Sequence, residues 1–329
     1  MFFTQKGKCF WMRVYEIPEG SKTAKGRAIQ NLVNIESDDK VKAFICTQDL
    51  KDKDYINSHN LIMVTKKGQV KKTSLEKYSK PRVNGVAAIT IKEGDELLEA
   101  KLTNGESQII LAVKSGKLVR FEETKTRPMG RTASGVRGIT LKDDTDEVIG
   151  MVTVDKDDIN DSQILVVTEN GYGKRTKLVD EDGEDVYRIT NRGGKGVKTL
   201  NITEKTGKLI SINAVTDADD LMIINKSGLT IRMAIEDLRV MGRATQGVKL
   251  INLKGKDSIA AVTKVMKDDV AEVVVDEDGN VIETEAIERI KPVLEILEDE
   301  GVEEDEEEDD VEEDEDDEAS EGDDEDDEV

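Results

Sequence analysis

Repetition is the feature that most constrains this chain. A short apolar run, a polar turn ending in glycine and a basic strand recur five times along the 329 residues. The runs are Phe2–Thr4 before Gly7, Leu61–Thr65 before Gly68, Ile109–Val113 before Gly116, Ile164–Thr168 before Gly171, and Leu221–Ile224 before Gly228. The turn glycines are spaced by 61, 48, 55 and 57 residues. After each turn the residues alternate, as in Lys117-Leu118-Val119-Arg120 and Leu229-Thr230-Ile231-Arg232. Period-two patterning around a glycine turn predicts a β-hairpin. A second glycine follows each turn: Gly26, Gly135 and Gly247 come 19 residues later, Gly85 17 later and Gly196 25 later. A further apolar segment closes each unit: Val41–Thr47, Leu97–Thr103, Val148–Val154, Leu209–Thr216 and Ile259–Val265. Four strands per repeat is the sequence sign of a propeller-like blade, so the fold class is all-β. Helical periodicity is nearly absent from the repeats.

The repeats divide the chain into segments. Residues 1–266 form the repeat domain, with units at roughly 1–48, 61–103, 109–154, 164–216 and 221–265. Residues 267–297 read as one more hairpin with an Asp278-Gly279 turn, then a short helix over 285–298 that Pro292 weakens. Residues 298–329 hold 25 acids and no base, and repulsion with few apolar residues predicts a disordered tail.

Charge must be read segment by segment. The whole chain carries −24, which speaks against a nucleic-acid partner. Residues 1–266, however, carry 37 acids and 45 bases, a net +8, so the body is mildly basic and the acid lies C-terminal to it. Aromatic residues make up only 3%, leaving the core to Val, Ile, Leu and Met. No stretch approaches the ~20 apolar residues of a membrane span, and the N-terminus has no signal-peptide pattern. Cys9 and Cys46 are too few for a disulfide framework or a zinc site, so a reduced, cytoplasmic setting is expected. His59 is the sole histidine, which removes histidine-based acid–base pairs and metal clusters and leaves it as an ordinary loop residue.

Positive charge falls at recurring positions. After the hairpin turn come Lys8 and Arg13, Lys71 and Lys72, Lys117 and Arg120, Lys174 and Arg175, and Arg232. Around the second glycine come Lys25 and Arg27, Lys80 and Arg82, Arg127 with Arg131 and Arg137, Arg192 with Lys195 and Lys198, and Arg239 with Arg243 and Lys249. Equivalent positions of blades around an axis fall on one rim, so these residues predict a basic band. Such a band suits a curved phosphate backbone contacted without reading sequence. The alternative is that lysines on strand edges merely block aggregation. Asn191-Arg192-Gly193-Gly194-Lys195-Gly196 is the densest Gly-basic cluster. It suits either an anion-binding nest or a flexible turn, and it lacks the Gly-Lys-Ser/Thr of a nucleotide P-loop. Asp180–Asp185 and Asp276–Asn280 lack full calcium-loop spacing and read as turns. Trp11, Phe10 and Tyr15 read as core or hairpin packing. No catalytic centre and no cofactor site is evident.

At residues 2–33 the text becomes specific. Phe2-Phe3-Thr4-Gln5-Lys6-Gly7-Lys8, Arg13-Val14-Tyr15-Glu16-Ile17-Pro18-Glu19 and Thr23-Ala24-Lys25-Gly26-Arg27 closely resemble the C-terminal domain of bacterial DNA gyrase A, part of a type IIA topoisomerase. Residues 187–197 and Thr203-Glu204-Lys205-Thr206-Gly207 resemble a later blade of that domain, and the acidic tail is similar to the tails of gyrase A proteins. The resemblance implies a β-pinwheel, a disc of six blades that exchange strands, whose basic rim wraps double-stranded DNA. Five of the six are present, so the chain is expected to be a fragment running from the second blade onward. The family's heptad Q-R-R-G-G-K-G belongs to the absent first blade; Thr190–Gly196 keeps only its R-G-G-K-G portion, in a later repeat.

The resemblance further implies partners in the remainder of gyrase A and in gyrase B, as an A2B2 assembly using ATP and Mg. The catalytic tyrosine region is absent here, so this chain alone is expected to be inactive. Topoisomerase IV has a related C-terminal domain and stands as the alternative within the family; Tyr15-Glu16-Ile17-Pro18-Glu19 and the blade number favour gyrase. A propeller that binds proteins, with the tail as its working part, stands as the alternative outside it. The tail itself is either a solubilising segment or a tethered polyanion that competes with DNA for the rim.

Overall fold

The computed structural model describes residues 1–21, 24–253, 255 and 257–266, together with the backbone of 274–275 and 281–282. The described residues all belong to one compact unit, Met1–Leu294. The expected helix over 285–298 and the expected disorder of 298–329 lie outside the described residues.

Repeat one supplies β1 (Phe2–Thr4), β2 (Lys8–Phe10) and β3 (Val41–Phe44). Repeat two supplies β4 (Asn60–Thr65), β5 (Gln69–Ser74), β6 (Val86–Ala87) and β7 (Leu97–Thr103). Repeat three supplies β8 (Gln108–Val113), β9 (Lys117–Glu122), β10 (Val136–Arg137) and β11 (Val148–Val154). Repeat four supplies β12 (Gln163–Thr168), β13 (Tyr172–Lys177), β14 (Val197–Lys198) and β15 (Leu209–Val215). Repeat five supplies β16 (Asp219–Asn225), β17 (Thr230–Ala234), β18 (Val248–Lys249) and β19 (Ile259–Met266). Beyond them β20 (Val274–Val275) pairs antiparallel with β21 (Val281–Ile282).

The sheets are antiparallel, and each of the first four is shared between two repeats. Their orders are β3-β1-β2-β6, β10-β5-β4-β7, β11-β8-β9-β14 and β15-β12-β13-β18, with a three-stranded β17-β16-β19 last. Repeats two to five do supply four strands each, but the short fourth strand crosses to complete the preceding blade. The fifth blade therefore has three strands among the described residues rather than four, and residues 27–28 of repeat one form no strand. Strand exchange follows from length: two residues cannot bury a face of their own and are held by a neighbour's ladder.

The blades stack face to face through apolar side chains. Along β8 (Gln-Ile-Ile-Leu-Ala-Val) and β12 (Gln-Ile-Leu-Val-Val-Thr) every residue is buried, because a blade on each side covers both faces of the strand. Ile62, Val64, Ile109, Leu111 and Phe121 share one core between blades two and three. Ile110, Ala112, Ile164, Val166 and Leu209 share the next. Leu165, Val167, Leu221, Ile223 and Ile259 share the last. β3, β7, β11, β15 and β19 touch one another in succession and so lie innermost, while β6, β10, β14 and β18 occupy the opposite, outer edge of their sheets.

Two glycines per repeat make the exchange sterically possible. A Cβ on Gly116 (φ +85°) would stand 2.7 Å from the Leu200 carbonyl oxygen, and one on Gly196 (φ +76°) 2.6 Å from that of Leu118. Gly85, Gly135 and Gly247 make the same close approach as Gly196, to the carbonyls of Cys9, Val70 and Gly173. Gly26 and Gly228 keep the positive φ, and nothing among the described residues lies within 4 Å of such a Cβ.

One local expectation, that for Tyr15, is corrected, and His59 is a loop residue as expected, next to a short helix. Lys53–Ser58 is a short α-helix, set by Asp52, whose side chain accepts from the Asp54 and Tyr55 amides. His59 caps its end, with Nδ1 2.8 Å from the Tyr55 carbonyl oxygen. Tyr15 is no core residue: it is 75% exposed, and its hydroxyl accepts from Arg13 at 2.5 Å. Phe10 is buried and Trp11 packs against the first core, as expected.

Candidate nucleic-acid interface

The exchanged strand places one residue opposite the first residue after each hairpin turn. The resulting pairs are Lys8–Ala87, Gln69–Arg137, Lys117–Lys198 and Tyr172–Lys249, all at the outer edge. Directly opposed side chains of an antiparallel pair share a face, and like charges there are destabilising. Lys117 and Lys198 nevertheless face each other, and neither forms an ion pair among the described residues. Lys142 and Lys208 line the same cleft, which Asp143 and Asp146 also line. Around Tyr172 the Lys205 ammonium sits 5.8 Å from the ring centroid, so Lys249, Lys205 and an aromatic face group together.

The segment leading into each exchanged strand adds further cations. Arg82 is exposed and Arg131 and Arg243 are half-buried, each just before the second glycine of its repeat. Each of these segments is laid against the preceding repeat. Thr90 Oγ1 donates to the Thr132 carbonyl at 2.6 Å, Thr140 Oγ1 to that of Gly193 at 2.6 Å, and the Asn201 amide to that of Thr245 at 3.2 Å. In the Gly-basic cluster Lys195 is exposed, while Arg192 folds back, its guanidinium donating to the carbonyls of Lys125 (3.1 Å) and Arg137 (3.2 Å). The cluster is therefore a turn anchored on repeat three. In repeat one, Arg13, Lys25 and Arg27 are exposed, and Lys8 is tied to Glu36 at 2.5 Å. Lys8 and Lys6 together hold the Glu36 carboxyl down to about 2.

Five residues expected on this rim are buried instead: Lys71, Lys72, Arg120, Lys174 and Arg175. Lys72 pairs with the fully buried Glu123 at 3.1 Å. Arg120 donates to Gln108 (2.7 Å), to Asp185 (2.7 Å) and to the carbonyls of Leu178 and Tyr187. Arg175 pairs with Asp217 and donates to the Leu238 carbonyl. Arg232, half-buried, pairs with Asp220 at 2.7 Å. The reason is their place in the strand. They stand three or four residues after the turn, in the middle of a strand covered by a blade on either side, and their charges are satisfied by the protein. They tie blades together and cannot reach a phosphate.

Lys142, Lys205 and Lys208 lie beside these outer pairs without belonging to the repeat pattern, which is why sequence comparison among the blades misses them. Asp180–Asp185 is a turn, with the Asp180 carboxylate accepting from the Asp182 and Glu184 amides, whereas Asp276–Asn280 lies outside the described residues. Among the described residues no group of three acidic, histidine or cysteine side chains is placed to hold a metal ion, and no helix is long and apolar enough to cross a membrane.

Comparison with known proteins agrees with this architecture. The model of the family described as DNA gyrase C-terminal domain, beta-propeller matches residues 1–48, 59–104, 108–155, 162–216 and 219–266, one segment per repeat. The DNA gyrase A protein of Staphylococcus aureus strain MRSA252 is 40% identical over 292 residues, which is 87% of this chain and 32% of that protein. The same protein from strain NCTC 8325 is 41% identical over 268 residues, covering 82% and 29% respectively. The chain thus spans about a third of the length of these curated relatives. Among solved structures, the C-terminal domain of DNA topoisomerase IV superposes with a TM-score of 0.70 at 24% identity, over 80% of this chain and 78% of that one. The DNA gyrase A C-terminal domain superposes at 0.65 with 22% identity, over 80% and 81%. Both structural likenesses speak to the fold, and the family assignment rests on the sequence matches: the chain belongs to the DNA gyrase C-terminal domain family.

Proposed function

We propose that this chain binds double-stranded DNA without regard to sequence and bends it around the outer edge of its blades. The observation that carries the reading is the opposition of Lys117 and Lys198, without an acidic partner among the described residues, at the edge where Arg137 and Lys249 recur on neighbouring blades. Like charges held together at a cost to folding stability are stabilised by a polyanion that neutralises both. Residues proposed to touch phosphates are Lys117, Lys198, Arg137, Lys249, Arg131, Arg243, Lys195 and Arg82, with Lys25, Arg27 and Arg13 on repeat one. Within a full-length gyrase A joined to gyrase B, in the cytoplasm, such bending would support ATP-dependent negative supercoiling. The chemistry of strand passage would belong to those other parts.

Two measurements test the reading. Binding of the chain to a short duplex is expected to weaken steeply between 50 and 200 mM salt, with log affinity falling by ~0.9 per phosphate contacted. Ligation of nicked circular DNA in its presence is expected to leave a shifted linking number. Salt-insensitive binding, or none, would remove the DNA reading. Binding with an unshifted linking number would remove the bending.

A further inference from the structure

Among the described residues, two buried lysines have no carboxylate partner. Lys71 and Lys174 occupy the third position after the turn glycine in blades two and four, where blades one, three and five have Phe10, Val119 and Ile231. Both side chains are 0% exposed. The Lys71 ammonium donates to the carbonyls of Ala88 (2.6 Å) and Arg131 (2.5 Å). That of Lys174 donates to the carbonyls of Gly242 and Arg243 and to Thr245 Oγ1 at 3.1 Å. In both cases an arginine carbonyl, that of Arg131 or Arg243, belongs to the segment that the next repeat lays across the strand.

Those segments share a motif. Repeat three has Met129-Gly130-Arg131 and repeat five has Met241-Gly242-Arg243, while repeats two and four carry other residues there. Met-Gly-Arg thus occurs on the two repeats whose segment crosses a buried lysine. The Met129 amide donates to Lys72 and the Met241 amide to Arg175, which sets the two segments in the same register.

We propose that Lys71 and Lys174 are positioning residues that clamp the Met-Gly-Arg segments by their carbonyls and so present Arg131 and Arg243 to the phosphate backbone. The inference rests on the DNA-binding reading above. A neutral apolar side chain at Lys71 or Lys174 would take the donor from the Arg131 or Arg243 carbonyl, while Ala88 keeps Tyr78 and Gly242 keeps Thr245, and would leave the arginine without a fixed stem. Each clamp also stacks a buried cation behind an outer one. Burial, reinforced by the neighbouring guanidinium, pulls Lys71 down to about 8 and Lys174 down to about 7. Beside Lys71 the Tyr78 hydroxyl shares the Ala88 carbonyl, and on the Lys174 side Tyr187 interacts with Arg243; burial pushes both phenols upward, so they stay neutral.

A phosphate on Arg131 or Arg243 offsets that repulsion and favours the charged lysine. DNA binding then takes up protons, and affinity falls as pH rises through about 7 to 8. Exposed lysines, ordinarily near ~10.4, do not titrate in that range.

The test is duplex affinity of the full chain at pH 6.5, 7.5 and 9, for wild type, Lys174→Met, Arg243→Ala and the double variant. Wild type is expected to lose about threefold or more in affinity across this range. Lys174→Met is expected to bind about threefold to tenfold more weakly at pH 6.5, with a flattened pH profile, and to have little further effect once Arg243 is alanine. Absence of salt-dependent binding by wild type would overturn the DNA reading itself. Normal wild-type binding with an unchanged affinity and pH profile for Lys174→Met, or with additive effects in the double variant, would overturn the clamp alone. Should Lys174→Met fail to fold, the wild-type profile decides, and affinity constant from pH 6.5 to 9 would sink the proposal.

Discussion

Arg120 and Lys198 lie on paired strands of one blade, yet their charges do opposite work. Arg120 stands in the middle of β9, covered on both faces, and its guanidinium is engaged by Gln108, Asp185 and two backbone carbonyls. Lys198 stands at the outer edge on β14, exposed, opposite another lysine and without a carboxylate partner among the described residues. One cation joins blade three to the Leu178–Tyr187 segment of repeat four; the other is left available to a partner. The difference comes from three residues of displacement along β9, between Lys117 at the edge and Arg120 in the interior. Net charge on a repeat therefore says little about its surface. What decides is whether the sheet supplies the counter-charge.

The comparison is broken most forcefully at Arg120. Arg120→Met is expected to cost about 3 kcal/mol of stability by leaving Gln108, the Tyr187 carbonyl and the Asp185 carboxylate without their donor. Lys198→Met is expected to stay within about 0.5 kcal/mol. Urea unfolding midpoints of the two variants measure the contrast, and equal midpoints would erase it. A second contrast lies between used and unused exchange segments. Gly196→Ala meets the Leu118 carbonyl at 2.6 Å as well as a positive φ, whereas Gly26→Ala meets only the φ. The first is expected to cost about 2–3 kcal/mol and the second about 1 kcal/mol, again by unfolding.

The sequence carries the blades plainly and the exchange hardly at all. Runs such as Ile109–Val113 and Ile164–Thr168, each closed by a turn glycine, mark the inner hairpins because full burial demands continuous apolar residues. Val197–Lys198 is two residues long and pairs with a strand about 80 positions earlier, so no periodicity announces it. The buried cations are hidden for a different reason. Lys71-Lys72 and Lys174-Arg175 look like a basic strand on an open edge, yet adjacent residues of a strand point to opposite faces. With a blade on either side, both members of each pair have to be buried. The hint is present in the residues: two successive cations in mid-strand cannot both face solvent in a stacked sheet. The outer pairs are legible only as a set of bases, since Lys117 meets Lys198 through the exchange itself.

Smaller effects sharpen the outer side of the comparison. Lys117→Ala with Lys198→Ala is expected to lower the slope of log affinity against log salt by roughly 1.8, two phosphate contacts' worth, with stability unchanged or slightly raised as the repulsion disappears. An unaltered slope would mean that the pair does not meet DNA. The smallest change is expected on repeat one, where the same edge position is already neutralised. Lys8 is held by Glu36, which also takes Lys6, and Ala87 stands where Lys198 does in blade three. Lys8→Ala should therefore shift the salt slope less than Lys117→Ala alone. Glu36→Gln, which releases Lys8 while Lys6 stays on Asp38, should strengthen binding at low salt. If Lys8→Ala weakened binding as much as Lys117→Ala, the acid across the sheet would not be what separates a structural cation from one available to a partner.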